Sequence, residues 1–190
     1  MKIPQSYIAI CLCLTFSISL SSQVRRRIQG DNKSCRDFVG TFYTWYFPIA
    51  SRNNREPASD FALKERAYVF SSELLWRLRE ESEVQKRAGS DLVSLDADPF
   101  FGADGAGEGF VLEKITIKDD RCWAEIHTVW EKEDATPDVT PELALRHGRW
   151  LFVNFYYPSP SDPMALNLLS ELKAIRESWK AYGIVKDQKP

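Results

Sequence analysis

Residues 90–110 divide the chain into two halves whose apolar residues follow different periods. The segment reads SDLVSLDADPFFGADGAGEGF, and its glycines together with Asp98-Pro99 disfavour both helix and strand. Before it, apolar residues recur every three or four positions, which is typical of amphipathic helices. After it, apolar and polar residues alternate, which is typical of half-buried strands. The sequence therefore predicts helices, a hinge over residues 90–110 and then a sheet.

Two helical regions are predicted before the hinge. The first begins with the capping-box spacing of residues 34–37, and Pro48 is expected to end it. One face of this helix is apolar and largely aromatic: Phe38, Phe42, Trp45, Tyr46 and Ile49. The second region, residues 61–86, fits either two consecutive helices or one helix that bends at Ser71-Ser72.

About four antiparallel strands are predicted after the hinge, joined by short turns. They cover residues 110–117, 121–131, 143–146 and 149–157. Asp162-Pro163 is expected to open a last helix that Gly183 ends. The predicted fold class is α+β, with N-terminal helices packed on a curved antiparallel sheet and a further helix at the C-terminus.

Residues 1–22 have the layout of a cleaved secretory signal peptide. A basic Lys2 precedes the mostly apolar residues 8–20, and small residues follow at Ser19 and Ser21. A mostly apolar stretch of thirteen residues is too short for a membrane-spanning helix, which needs about 20. We expect a secreted or periplasmic protein without a membrane span once the signal is removed; the alternative is a buried N-terminal helix.

The expected mature chain has one domain. Residues 23–33 are predicted to be a flexible linker, residues 34–183 a single α+β domain and residues 184–190 a disordered tail. The chain has 25 basic and 27 acidic residues, a balance that gives no basic face for nucleic acid.

Export also decides how the cysteines are interpreted. Cys11 and Cys13 leave with the signal peptide, so Cys35 and Cys122 remain. An oxidising compartment favours a disulfide between them, and two buried free thiols are the alternative.

Three segments resemble a known bacterial family: FYTWYFPI in the first helix, LDADPFFGAD in the hinge and GRWLFVNFYYP before the last helix. Over about residues 35–179 the chain is similar to the family catalogued as domain of unknown function 3828. This family belongs to the nuclear transport factor 2-like (cystatin-like) superfamily. The resemblance implies a cone-shaped α+β fold and a homodimer formed through the sheet, but no catalytic residues. Ala103 stands where that family often has glutamine.

The hinge is rich in carboxylates, among them Asp96, Asp98 and Asp104. Their spacing does not match a calcium-binding loop, because Phe100 occupies the third ligand position. We predict that these aspartates bind backbone N–H groups of the loop and that no metal is held.

His127 is a candidate general base, because alternation places it on the same strand face as Trp123 and Glu125. If that face lines the cone, Glu125 would orient the imidazole; if it faces solvent, both side chains are simply hydrated. Motifs of serine, cysteine and zinc hydrolases, phosphate loops and dinucleotide fingerprints are missing from the sequence.

The preferred hypothesis is an exported, non-enzymatic domain without a cofactor. It would bind a small apolar ligand or a protein partner through the concave face of the sheet. Aromatic residues make up 13% of the chain, and the candidates for the pocket are Phe42, Trp45, Trp123, Trp150 and Tyr156. The alternative is a small lyase or isomerase that uses His127 with Glu125 or a hinge aspartate.

Overall fold

The computed structural model describes residues 30–52, 56–88, 92–103, 106–129, 138–158 and 166–186. The helices are α1 (Asn32–Ala50), α2 (Ala58–Glu65), α3 (Ser72–Ala88) and α4 (Leu168–Ala181), with a 3-10 turn at Ala67–Val69. The strands are β1 (Gly109–Lys118), β2 (Arg121–Val129), β3 (Thr140–Arg146) and β4 (Arg149–Tyr156). The four strands form one antiparallel sheet in the order β1-β2-β3-β4. The described residues therefore confirm the predicted α+β class.

Helix α1 begins at a capping box, but the cap is Asp31 rather than Ser34. The Asp31 carboxylate accepts a hydrogen bond of 2.6 Å from the backbone N–H of Ser34, and the Ser34 hydroxyl oxygen accepts one of 3.1 Å from the backbone N–H of Asp31. Pro48 lies inside the helix, which continues to Ala50. Proline removes one backbone donor, and the turn after it still closes, because the backbone N–H of Ser51 donates to the Phe47 carbonyl oxygen.

The region predicted as either two helices or one bent helix forms two separate helices, α2 and α3, with a short connection between them. The backbone N–H of Ser71 donates to the Phe152 carbonyl oxygen at 2.8 Å, and Phe70 forms a parallel bridge with Phe152. This link attaches the start of α3 to strand β4.

Strand β1 lies at an edge of the sheet and contains a bulge between Leu112 and Ile115. The Arg36 guanidinium of α1 donates to the carbonyl oxygens of Leu112 and Glu113 at 2.8 and 2.9 Å. A bulge and a charged side chain both discourage pairing with another strand, so this edge is protected.

The side of the sheet that faces the helices is filled by aromatic rings. Phe42 of α1 lies at the centre, and its ring centroid is 4.9–5.8 Å from five neighbours: Tyr43, Tyr46, Phe70, Phe100 and Phe152. All six side chains are buried. Because rings packed in this way leave little room, the concave side is a solid core.

A disulfide joins Cys35 of α1 to Cys122 of β2, which confirms that prediction. Both residues are fully buried, and their Cα atoms are 6.7 Å apart. The bond connects the first helix to the sheet across 87 positions of the chain.

Helix α4 begins later than predicted, at Leu168 instead of Asp162-Pro163. Its cap is Asn167, whose Oδ1 accepts a hydrogen bond from the backbone N–H of Ser170 at 3.0 Å. Asn154 of β4 also holds this end, since its Nδ2 donates to Asn167 and its Oδ1 accepts from the backbone N–H of Leu169. The cap is therefore chosen by a contact with the sheet.

The described helices include no segment both long and apolar enough to cross a bilayer. The predicted signal peptide, Asp104 and residues 23–29 of the predicted linker lie outside the described residues. Helix α1 starts at Asn32, inside the predicted linker.

Candidate functional site

The hinge is held in place by Asp98. Its Oδ1 accepts a hydrogen bond of 2.8 Å from the backbone N–H of Phe100, and its Oδ2 accepts one of 2.5 Å from the Tyr46 hydroxyl. The carbonyl oxygen of Asp98 accepts a further bond of 2.8 Å from the backbone N–H of Gly102. These contacts have the geometry of a structural loop, in which a carboxylate satisfies backbone donors.

Two more tyrosines fix the same short segment. The Tyr43 hydroxyl donates to the carbonyl oxygen of Phe100 at 2.7 Å, and the Tyr157 hydroxyl donates to that of Pro99 at 3.0 Å. Burial raises the pKa of both phenols well above the usual range, so they remain protonated donors.

Burial also raises the pKa of the Asp98 carboxyl, while the hydrogen bonds from Tyr46 and the Phe100 backbone oppose the rise. For Tyr46, burial and then the negative charge of Asp98 raise the pKa well above its ordinary value. Tyr46 therefore stays protonated and donates to Asp98.

A cleft of about 470 Å³ lies between the hinge and the start of α4; we call it the hinge cleft. Eleven of the described residues line it: Leu95, Asp96, Ala97, Asp98, Gly102, Tyr157, Leu166, Asn167, Ser170, Glu171 and Ala174. Its volume falls in the range of small-molecule sites, and most of its exposed lining is apolar. The cleft can hold a molecule with an apolar body.

Three carboxylates are among the polar groups of the hinge cleft. Asp96 and Glu171 are exposed at its rim, and Asp98 is half-buried in its wall. Although Glu171 is an exposed residue, the cleft wall partly shields its carboxyl from water. This desolvation, followed by the charge of Asp96, raises the pKa of Glu171.

The candidate base His127 lies on the opposite face of the sheet from the helices. Its Nε2 atom is 2.8 Å from a carboxylate oxygen of Glu113 on β1, a close contact that is not aligned as a hydrogen bond. Glu125 is instead paired with Lys114 at 3.1 Å. The structure therefore brings neither His127 and Glu125 together nor His127 to the hinge aspartates.

The five predicted pocket residues do not line one cavity. Phe42 lies in the core, and Trp150 is buried with its Nε1 donating to the Ser34 hydroxyl at 3.1 Å. Trp123 and Tyr156 are half-buried on the sheet, where the Tyr156 hydroxyl donates to Glu142 at 3.1 Å.

Trp45, the fifth of these residues, lies at the surface next to α2. It stacks on Phe61, and the Arg66 guanidinium lies 4.6 Å from the centre of its ring. None of the five lines the hinge cleft.

Sequence reasoning missed the half of the hinge cleft that comes from Tyr157 and the start of α4. Because of Pro163, the helix was predicted to start at Asp162-Pro163 and not after Asn167. Asn167 is the residue that Asn154 of the sheet contacts. The Asn-Leu-Leu-Ser run that begins at Asn167 is an alternative cap pattern that would have indicated the observed start.

In the described part of the chain, no group of three or more His, Cys, Asp and Glu side chains is arranged to hold a metal ion. Comparisons with protein-family models, curated proteins and solved structures find no match to this chain.

Proposed function

We propose that the protein is an exported, non-enzymatic binding domain that takes a small, largely apolar molecule into the hinge cleft. The observation that carries this proposal is the cleft itself, whose apolar wall includes Leu95, Tyr157 and Leu166. Leu166 is 65% exposed, and such a leucine at the rim of a concave site is available to a ligand.

The filled core moves the proposed site away from the concave face of the sheet. Phe42, Phe100 and Phe152 occupy the space that a cone-shaped cavity would need. A ligand of ordinary size therefore has room at the hinge cleft, where the core ends and α4 begins.

Export is supported by the disulfide and by the layout of residues 1–22. A buried disulfide persists in oxidising compartments such as the periplasm and the extracellular space. We further propose that the chain belongs to the domain of unknown function 3828 family and has the nuclear transport factor 2-like cone. The support is the sequence resemblance together with helices packed on one face of an antiparallel sheet.

The alternative of a lyase or isomerase gains no support from the geometry. The carboxylate next to His127 is that of Glu113, not of Glu125 or a hinge aspartate, and His127, Glu113 and Glu125 all lie outside the lining of the hinge cleft.

A binding titration tests the proposal on protein recovered from the oxidising compartment of an expression host. Indole-3-ethanol, a neutral aromatic probe, is expected to shift the amide resonances of Gly102, Ser170 and Ala174 saturably. Ser170→Trp fills the cleft and should abolish the shifts, whereas Glu177→Trp, exposed on the same helix outside the lining, should preserve them. Shifts that persist unchanged in Ser170→Trp would contradict the proposed site.

Export is tested by analysing the protein in both the oxidising and the reducing compartment of the same expression host. We expect the intact mass to correspond to a chain without residues 1–22. A chain that retains these residues and remains in the reducing compartment would contradict the exported part of the proposal.

A protein partner is a second candidate function, favoured by a surface patch formed by Trp45, Phe61, Arg66 and Tyr68. Tyr68 is 60% exposed, and its hydroxyl accepts a hydrogen bond of 3.1 Å from Arg66. Tryptophan, tyrosine and arginine are the residues that dominate protein interfaces. A photo-crosslinking residue at position 68 should capture one defined partner that the same residue at Tyr182, also exposed, does not; equal capture at both positions would contradict this role.

A further inference from the structure

We propose that the hinge cleft selects an organic cation, an amine joined to an apolar or aromatic body. This inference rests on the proposed binding function and adds the charge of the ligand to it. In the described part of the cleft, an apolar wall lies beside carboxylates that have no basic partner among the described residues.

Among the described residues that line the hinge cleft, the charged side chains are all negative. Three of its residues are acidic, Asp96, Asp98 and Glu171, and none of its eleven described residues is Lys, Arg or His. The acidic rim and the apolar wall together match a molecule with a positive end and an apolar body.

Two of these acids have no basic partner in the part of the chain that the structure describes. The ion pairs found there involve other acids, such as Glu73 and Glu80 of α3, and leave out both Asp96 and Glu171. Asp98 differs, because its oxygens are occupied by Tyr46 and the Phe100 backbone. Asp96 and Glu171 are therefore the groups that would contact a cation, and Asp98 adds to the negative potential.

Asp96 and Glu171 also repel each other. The charge of Asp96 raises the pKa of the Glu171 carboxyl, which is partly desolvated by the cleft wall. A cation bound beside both carboxylates would relieve this repulsion, whereas an anion would increase it. A neutral ligand of the same shape would do neither, so affinity should follow the order cation, neutral, anion.

Three indole derivatives of similar size separate charge from shape: tryptamine, indole-3-ethanol and indole-3-acetate. At pH 7 we expect tryptamine to bind at least about tenfold more tightly than indole-3-ethanol and indole-3-acetate to bind most weakly. The readout is the dissociation constant from amide-resonance titrations of the oxidised protein, with shifts at Gly102, Ser170 and Ala174.

Two double variants test whether the rim carboxylates of Asp96 and Glu171 cause the preference for the cation. Asp96→Asn with Glu171→Gln should bring tryptamine and indole-3-ethanol to within about twofold of each other, because the neutral amides keep the shape and remove the charge. Both residues are exposed, so the fold should persist. Asp37→Asn with Glu177→Gln removes two exposed charges outside the cleft and should leave the preference intact.

The outcomes separate this inference from the proposed function. Equal affinity for the three compounds would overturn the charge selectivity and leave the binding function standing. No saturable binding of any compound would overturn both. A tenfold preference that survives in the Asp96→Asn, Glu171→Gln protein would show that other groups select the cation, and would overturn the assignment.

Discussion

The Tyr46 hydroxyl donates a hydrogen bond of 2.5 Å to the Asp98 carboxylate, and this bond joins the first helix to the hinge across 52 positions of the chain. Burial raises the pKa of the Asp98 carboxyl, and the bond from Tyr46 is the largest effect that opposes the rise. The hinge therefore keeps a charged group away from water by supplying donors from two directions. Its conformation depends on a residue that lies far away in sequence.

Tyr46→Phe should destabilise the protein by about 1–3 kcal/mol at pH 7, because the variant removes a donor from a largely buried carboxylate. The loss should be smaller at pH 4. Without the Tyr46 hydroxyl the pKa of Asp98 rises further, so the carboxyl is more often neutral at that pH and needs the donor less. Urea unfolding at both pH values measures it. Tyr156→Phe is the control, since that hydroxyl donates to Glu142 in a less buried place. Equal losses in the two variants would contradict the special role of Tyr46.

Glu81→Gln should stabilise the protein at pH 7. Burial raises the pKa of the Glu81 carboxyl; the hydrogen bond from the Leu95 backbone opposes this, and the charges of Asp60 and Glu171 add to it. Asp60 in turn is paired with Lys86 at 2.8 Å. Because the native state binds the Glu81 proton more tightly than the unfolded state, stability rises as pH falls from 7 towards the ordinary value of 4.5.

Unfolding by urea at pH 7, 6 and 5 tests this prediction. The free energy of unfolding of Glu81→Gln should rise less over this range than that of the unmodified protein. The exposed-residue variant Glu177→Gln should keep the original slope. The pKa values of Asp31 and Asp120 are lowered, so these two groups make the free energy of unfolding fall as pH falls, but mainly below about pH 3.8. Parallel slopes for Glu81→Gln and the unmodified protein would contradict the prediction.

Removal of the disulfide should cost about 3–5 kcal/mol of stability, because it closes a loop between positions 87 apart. Cys35→Ala with Cys122→Ala, compared with the oxidised protein by urea unfolding, measures this. A reductant should lower the unfolding midpoint of the unmodified protein and leave that of the double variant unchanged. An unchanged midpoint in both proteins would show that the bond contributes nothing.

Replacement of glycine by alanine should have opposite effects on stability at Gly102 and at Gly40. Gly102 has a φ of +68°, and a Cβ there would lie 2.9 Å from the Tyr157 ring and 3.0 Å from the Asp138 carbonyl oxygen. Gly102→Ala should therefore cost about 1–3 kcal/mol. Gly40 lies within α1 with nothing near such a Cβ, so Gly40→Ala should stabilise by roughly 0.5–1 kcal/mol.

Thermal unfolding of the two glycine variants and of the unmodified protein, measured side by side, tests both predictions. Changes of the same sign would contradict the positions assigned to these residues.

Local patterns predicted the secondary structure well where an element is stabilised by its own periodicity. The alternation in residues 121–129 predicted β2, and Cys122, Ala124 and Ile126 are buried as alternation requires. Prediction was wrong where a distant residue decides a boundary. Two local cap patterns, Asp162-Pro163 and the run that begins at Asn167, lie close together in the sequence, and α4 begins after the one whose asparagine is also bonded to Asn154 of the sheet.

The candidate site was predicted only in part for the same reason. The aspartates of the hinge were identified, and Asp96 and Asp98 do line the cleft. Their partners across the cleft come from Tyr157, which directly follows β4, and from the start of α4, more than fifty residues later. His127 and Glu125 share a strand face as predicted, but cross-strand pairing gives each a separate partner on β1.

By itself, the sequence determined the α+β plan and the position of the hinge, because periodicity and glycine content act locally; it favoured a disulfide between Cys35 and Cys122, and the structure decided that the two residues lie close enough to form it. Only the tertiary structure decided that the concave face is filled and that a cleft opens beside it. Whether aromatic side chains enclose a cavity or close it depends on how rings from α1, the hinge and β4 interlock. Such packing is a property of the assembled side chains, and no single segment of the chain encodes it.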